Sequence, residues 1–129
     1  MNRSEQVKDS KMNKLFLLVF TTFVLTACSS SPSIKDLTVR MGKTDNIEIT
    51  DMRSVTRNGA LTVQVSVTSK NESNLVAYRF RWLGKNGVKV FDDEAWKPLQ
   101  LDKGHAKEVI GVAPTPDATD FKFELSEYK

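Results

Sequence analysis

Alternation of apolar and polar residues runs through the chain from residue 46 onward and predicts β-strands. The clearest example is Ala60–Ser69, ALTVQVSVTS, in which every second side chain is apolar. Strict alternation of this length is typical of an antiparallel strand with one face in the core and the other toward solvent. The stretch 76–83, VAYRFRWL, alternates in the same way. We therefore expect its aromatic side chains in the core, with Arg79 and Arg81 facing solvent.

Further short apolar segments are separated by residues that favour turns. The sequence GKNG, Gly84–Gly87, supplies glycines for a tight hairpin into a strand at 88–91. Besides these, strands are predicted at 46–52, at the end of 92–101, at 105–113 and at 121–127, with 36–41 as a candidate edge strand. About seven short strands with frequent turn signals predict an all-β chain, specifically an immunoglobulin-like antiparallel β-sandwich.

The first part of the chain has a different pattern, an apolar run preceded by positive charge. Lys11 and Lys14 precede thirteen mostly apolar residues, Leu15–Ala27. A membrane-spanning helix needs about 20 such residues, whereas the shorter run is typical of the apolar region of a secretory signal peptide. The residues Leu25-Thr26-Ala27-Cys28, which include the only cysteine of the chain, resemble the bacterial lipobox.

This resemblance implies a lipoprotein. Residues 1–27 are then a signal peptide cleaved between Ala27 and Cys28, and the Cys28 thiol carries a diacylglyceryl group, with a further acyl chain on the freed amine. Each buried methylene contributes about 0.8 kcal/mol, so several chains anchor a domain stably. The alternative is a free cysteine buried at the end of a core helix. Because Ser29 rather than aspartate follows Cys28, we expect the outer membrane, facing the periplasm.

The leader also affects the expected domain boundaries and the charge. Glu5 and Asp9 are unusual in the basic region of a signal peptide, so Met12 is a candidate start. We expect residues 28–45 to be the lipidated cysteine and its flexible tether, and residues 46–129 to be the sandwich. The whole chain has a net charge of +3, but the part from Cys28 onward has only +1. A nearly neutral domain is not expected to bind nucleic acid.

Few residues are candidates for chemistry. His105 is the only histidine and has no neighbouring residues that would complete a metal site, so we expect it to face solvent. The acidic run Asp92–Glu94 lacks the spacing of a calcium-binding loop and is expected to be a solvated loop. The sequence contains no nucleophile elbow, phosphate-binding loop or zinc-protease motif. We therefore expect no enzymatic activity, no metal and no cofactor.

Three residues are candidates for contact with a partner. Arg79 and Arg81 are candidates for an anion-binding patch together with Lys89 or Lys107. Trp96 lies in a polar loop, and tryptophan is enriched among the anchor residues of interfaces. The competing interpretation of Trp96 is structural, with the ring folded over the open end of the sandwich and buried there.

A family resemblance accompanies these patterns. The run NESNLVAYRFRWLGKNGVKV, followed by Trp96, by LQLDKG and by GVAPTPDATDFKFEL, resembles the YcfL family of small periplasmic lipoproteins. The resemblance spans about residues 67–125. It implies a lipid-anchored β-sandwich and adds no substrate or activity.

These expectations favour a non-catalytic interaction module. A sandwich held at the membrane by Cys28 would dock another envelope protein by a strand edge or a loop face. Cell-wall synthesis, outer-membrane assembly and secretion machineries all remain candidate partners. The alternative is a small molecule or glycan bound between loops near Trp96, which an exposed ring beside a cleft would favour. Envelope hydrolysis would require an acid and a base together around His105 or Asp92.

The first testable consequence concerns the amino terminus of the native protein. We expect mass spectrometry to find a mature chain that begins at Cys28 and carries a diacylglyceryl thioether. A native chain that retains its leader and has a free thiol at residue 28 would contradict the predicted anchor and compartment.

Overall fold

Two facing sheets and one helical turn form the described part of the chain. The computed structural model describes residues 32–128. Its elements are α1 (Ile34–Leu37), β1 (Thr38–Met41), β2 (Ile47–Arg57), β3 (Ala60–Ser69), β4 (Asn74–Leu83), β5 (Lys97–Leu101), β6 (Lys107–Val112) and β7 (Asp120–Glu127). The predicted signal peptide 1–27, the candidate start Met12 and the lipidation site Cys28 lie outside the described residues.

The strands are divided between a four-stranded and a three-stranded sheet. The larger sheet has the order β1-β7-β4-β5, and the smaller one has the order β2-β3-β6. All neighbours are antiparallel except β1, which runs parallel to β7 at one edge. The predicted immunoglobulin-like β-sandwich is confirmed. In the larger sheet, β4 ends where β7 begins, and these positions define one end of the sheet.

The inward faces of both sheets supply the core. Val63, Val65 and Val67 of β3 are fully buried, as their alternation predicted. Opposite them, the Phe80 and Trp82 rings of β4 stack with centroids 5.4 Å apart, and Phe123 of β7 packs against Phe80 at the same centroid distance. Aromatic pairs of this kind add to the stability gained from apolar burial, which explains how the sandwich forms a core without a disulfide.

The strand predicted at 88–91 is replaced by a loop. After β4 a single 3₁₀ turn, Lys85–Gly87, reverses the chain, and beyond it only the Leu83–Lys89 bridge remains of the expected pairing. Val90 donates its N–H to the Trp82 carbonyl, and its side chain lies over Gly84, at 2.5 Å from where a Cβ on that glycine would be. The turn at Gly84–Gly87 is therefore present, but the predicted strand at 88–91 is reduced to this short pairing, and Val90 packs over Gly84.

The amino-terminal boundary lies earlier than predicted. Residues assigned to the flexible tether 28–45 form α1 and β1, and β1 is part of the larger sheet. Ser33 and Asp36 cap α1 reciprocally, and the hydrogen bonds from Ser33 hold the pKa of the Asp36 carboxyl below its usual value. The sandwich therefore includes residues well before residue 46. In residues 32–128, no helix has the length and apolarity needed to cross a bilayer.

The core leaves no room for a side chain at Gly111 of β6. A Cβ placed there would lie 2.5 Å from the Phe80 ring, which is itself only 1% exposed. We expect Gly111→Ala to lower the free energy of unfolding by about 1–3 kcal/mol, because the ring cannot move out of a packed core without strain. Urea denaturation measures this change.

The neighbouring residue provides the matched control. Ile110 is 60% exposed on the other face of β6, so Ile110→Ala should change stability by less than about 0.5 kcal/mol. Equal effects of the two substitutions would contradict the close packing of Gly111 on Phe80.

Candidate functional site

A buried carboxylate lies on the outward face of the four-stranded sheet. Glu124 of β7 points away from the core, yet it is only 2% exposed. It lies directly opposite Arg79 of β4 in the sheet register. Its Oε1 is 3.4 Å from the Arg79 Nε and 3.1 Å from the Arg81 Nε. Two guanidinium groups therefore neutralise one carboxylate that solvent does not reach.

A second acid extends this arrangement into the loop that follows β4. The Asp93 carboxylate lies 3.9 Å from Arg79, 3.7 Å from Arg81 and 3.6 Å from the Lys89 ammonium. We call Arg79, Arg81, Asp93 and Glu124 the Arg–Glu cluster. Partly covered charges attract each other more strongly than charges in bulk water, so the cluster ties the loop to the sheet.

Glu94 holds the same loop against the edge of β4. Its carboxylate accepts a hydrogen bond from the Trp82 indole N–H at 2.9 Å and another from the Phe80 backbone N–H at 3.4 Å. β5 pairs with β4 only as far as Tyr78, so the Glu94 side chain takes the place of a strand partner beyond that point. The expectation that Asp92–Glu94 is a solvated loop is wrong for Glu94, whose side chain is only 18% exposed.

Trp96 follows this loop and packs on the cluster. The Arg79 guanidinium carbon lies 4.2 Å from the centre of the Trp96 ring, a cation–π geometry. The ring remains 37% exposed. It lines a shallow groove of about 260 Å³ on the outward face of the sheet. The other lining residues are Ala77, Ser126, Glu127 and Tyr128.

Further exposed apolar side chains lie on the same face of the sheet as the groove. Leu75 of β4 and Val39 of β1 point outward and are 42% and 37% exposed, and Tyr128 is 52% exposed. Together with Trp96 they make up four of the nine large apolar residues that are well exposed in residues 32–128. We call this surface, defined by Val39, Leu75, Trp96 and Tyr128, the Trp96 face. These four side chains share the outward face of the larger sheet, and a shared apolar face is a stronger indication of a contact surface than a single exposed apolar residue.

The structure brings the three predicted contact residues together, with two corrections. Arg79 and Arg81 do lie on the face opposite the aromatic core, but Arg79 is only 17% exposed, since Glu124 and Trp96 cover it. Trp96 lies on the outward sheet face and not over the open end of the sandwich. Of the two lysines considered as partners of the arginines, Lys89 joins them through Asp93, whereas Lys107 lies on the other sheet.

The remaining candidates are separate from this surface. His105 is exposed in the turn before β6. In residues 32–128, no group of three histidine, cysteine or acidic side chains is placed to hold a metal ion. The Trp96 face combines a partly exposed aromatic ring with apolar side chains, and the arginines of the Arg–Glu cluster lie beside it. Such a surface is suited to binding.

Sequence reasoning missed Glu94 and Glu124. Alternation in FKFELSE places Glu124 outward, but only the register shows that Arg79 lies opposite it and that the loop covers both. One signal was available: an outward acid on the last strand and outward arginines on β4 would pair if the two strands were neighbours.

Comparison with known proteins supports the fold. The model of a family described as "Protein of unknown function (DUF1425)" matches residues 35–127. The crystal structure of Campylobacter jejuni cj0090 is 22% identical, with a TM-score of 0.62 over 71% of this chain and 98% of that one. A DUF1425 family member from Shewanella sp. pv-4 is 21% identical, with a TM-score of 0.58 over 64% of this chain and 79% of that one. No curated protein matches the chain.

Burial of Glu124 generates a prediction about stability. Glu124→Gln keeps the shape of the side chain but removes the charge that neutralises Arg79 and Arg81. We expect the free energy of unfolding to fall by about 3 kcal/mol, the lower part of the range for breaking a buried ion pair, because Arg81 is 39% exposed. Denaturant unfolding measures the loss.

An exposed acid provides the control for this substitution. Glu108 of β6 is exposed, so Glu108→Gln should change stability by no more than about 0.5 kcal/mol. A Glu124→Gln protein as stable as the control would contradict a stabilising role for the buried Glu124 charge.

Proposed function

Because the chain belongs to the DUF1425 family, which is described only as of unknown function, we propose from its own residues that it is a lipid-anchored, non-catalytic protein-interaction module of the bacterial cell envelope. Two parts of the chain support the proposal. One is the lipobox-like sequence that ends at Cys28, and the other is the Trp96 face.

The proposed anchor is the acylated amino-terminal cysteine. The order of basic residues, thirteen mostly apolar residues and Leu-Thr-Ala-Cys supports export followed by lipid attachment to Cys28. The similarity of residues 67–125 to the YcfL lipoproteins agrees with this assignment. With serine after the cysteine, the proposed location is the periplasmic face of the outer membrane.

The proposed docking surface is the Trp96 face, and the single observation that carries it is the held, partly exposed Trp96 ring. Arg79 packs on one face of the indole and is itself fixed by Glu124. A side chain already fixed in one position loses little conformational entropy when a partner binds. Less of the favourable contact energy is then offset, and the affinity is higher. Tryptophan and arginine are also the residues most often found as interface hot spots.

The surroundings of Trp96 fit the same role. Leu75, Val39 and Tyr128 extend the apolar area, while the Arg–Glu cluster borders it with balanced charge. A central apolar anchor with a polar border is the usual organisation of a protein–protein interface. The proposed partner is therefore an envelope protein with a complementary apolar surface.

A second candidate function is binding of a glycan in the groove beside Trp96. The observation in its favour is the lining: two partly exposed aromatic side chains, Trp96 and Tyr128, share a groove with the Ser126 hydroxyl and the Glu127 carboxylate. Aromatic faces with a few polar groups are typical of small-ligand sites. The groove is open and shallow, however, and we therefore rank protein docking first.

Site-specific cross-linking in intact envelopes tests the leading proposal. A photoreactive amino acid at Leu75, beside Trp96 on the same face, should reproducibly capture one protein. We expect Trp96→Ala to reduce the yield more than tenfold, because loss of a hot-spot residue costs about 2 kcal/mol or more. Ile110→Ala, which removes a more exposed side chain from the other sheet, should leave the yield unchanged.

Other outcomes separate the two candidates. Capture of no protein from Leu75, together with tryptophan fluorescence that changes on addition of lysozyme-digested peptidoglycan, would favour the glycan. A cross-link that Trp96→Ala leaves intact would remove Trp96 from the docking surface.

A further inference from the structure

The loop after β4 carries exposed apolar side chains with no packing role. Val88 is 63% exposed and Phe91 is 46% exposed, whereas Val90 between them packs against the core. Lys85 and Lys89 in the same loop are exposed as well. We call residues 85–91 the apolar loop. Two large apolar side chains exposed on one short loop make that loop a candidate contact surface.

The start of the domain lies at the same end of the sandwich. In the sheet register, Leu83 at the end of β4 is opposite Asp120 at the start of β7. Thr38 at the start of β1 is opposite Phe123, three residues further along β7. The chain that precedes β1 and the loop that follows β4 therefore leave the larger sheet at one end.

The position of that amino-terminal segment is fixed by specific contacts. Ser33 caps α1 together with Asp36, and the Lys122 ammonium donates a 2.6 Å hydrogen bond to the Asp36 carbonyl. Lys122 is itself close to the start of β7. The segment is thus held to the end of the sandwich that carries the apolar loop.

The distance from the proposed anchor to this end is short. Cys28 and Pro32, the first described residue, are four residues apart, and a fully extended chain spans no more than about 14 Å over that length. A lipid on Cys28 would therefore keep Pro32, and with it the end of the sandwich where the domain begins, close to the bilayer, with Pro32 within about 14 Å of Cys28.

We propose that the apolar loop docks on the lipid bilayer to which Cys28 is attached, with Val88 and Phe91 in the interfacial region of the membrane. The inference rests on the proposed lipid anchor and adds a second membrane contact to it. Apolar side chains enter the boundary between headgroups and acyl chains favourably, and the flanking ammonium groups of Lys85 and Lys89 suit lipid phosphates. Asp92 and Asp93 balance the charge of the loop, so the apolar residues provide most of the attraction.

This docking fixes an orientation. The Trp96 groove is lined by Ala77, Ser126 and Tyr128, which lie toward the start of β4 and the end of β7. That end is opposite to the one carrying the apolar loop. The bilayer would therefore hold the sandwich with the Trp96 face accessible from the periplasm.

Depth measurement on the lipidated protein tests the inference. Phe91→Cys and, as a control, Leu75→Cys are labelled with bimane in the full lipidated chain; the two positions are similarly exposed, at 46% and 42%. The thioether on Cys28 leaves the new thiol as the only reactive one. In vesicles of phosphatidylethanolamine and phosphatidylglycerol that contain nitroxide-labelled lipid, we expect several-fold stronger quenching at residue 91 than at residue 75.

A second variant keeps the test independent of labelling artefacts. Adding Val88→Asp to Phe91→Cys should reduce quenching at residue 91 toward that at residue 75, while thermal unfolding stays unchanged because Val88 is outside the core. Equal quenching at residues 91 and 75, or quenching that Val88→Asp leaves unaltered, overturns the docking of the loop. A chain that fails to float with the vesicles would overturn the lipid anchor and the docking together, whereas a floating chain with equal quenching overturns the docking alone.

Discussion

The carboxylate of Glu124 organises the outward side of the larger sheet. It is buried where a sandwich normally exposes polar residues, and Arg79 and Arg81 neutralise it from the neighbouring strand. Through Asp93 the same arginines hold the loop after β4, and through its guanidinium Arg79 positions the Trp96 ring. Without a negative charge at this position, Asp93 alone would face the two partly covered guanidinium groups, and the buried side of the cluster would lose its balance of charge.

Alternation along β4 keeps the charged arginines out of the apolar core. Phe80 and Trp82 fill the space between the sheets, while Arg79 and Arg81 between them serve the outward face. Glu94 links the two sides, because it accepts the indole N–H of Trp82 at the sheet edge while belonging to the loop that carries Asp93. Stability and the presentation of Trp96 therefore depend on the same strand, and substitutions in β4 will rarely affect only one of them.

The two ends of the sandwich differ in a way that fits a tethered module. One end carries the beginning of the domain and the apolar loop, and the opposite end carries the Trp96 groove. A module attached by its amino terminus needs its docking surface away from the attachment, since otherwise the membrane would compete with the partner. The strand directions are compatible with the proposed anchor, because β1 and β7 run parallel from the end where the domain begins toward the groove.

Most of the sandwich follows from the sequence alone. The period of two in 60–69 and 76–83 determined which side chains enter the core, because a pleated strand directs successive residues to opposite faces regardless of its neighbours. The predicted signal peptide before Cys28 is likewise a prediction from the linear order of basic, apolar and small residues. Outward placement of Arg79 and Arg81 followed from the same alternation.

Only the tertiary structure decided what those outward residues contact. Burial of Glu124 depends on β7 lying beside β4, and 36 residues separate Leu83 at the end of β4 from Asp120 at the start of β7. The position of Trp96 depends on a loop attached by Asp93 and Glu94, and the close packing of Val90 on Gly84 is likewise visible only in the folded chain. The local alternation of residues predicts which face of the sheet a side chain lies on. Whether residues distant in sequence bury that side chain is decided only when the sheets and loops pack together.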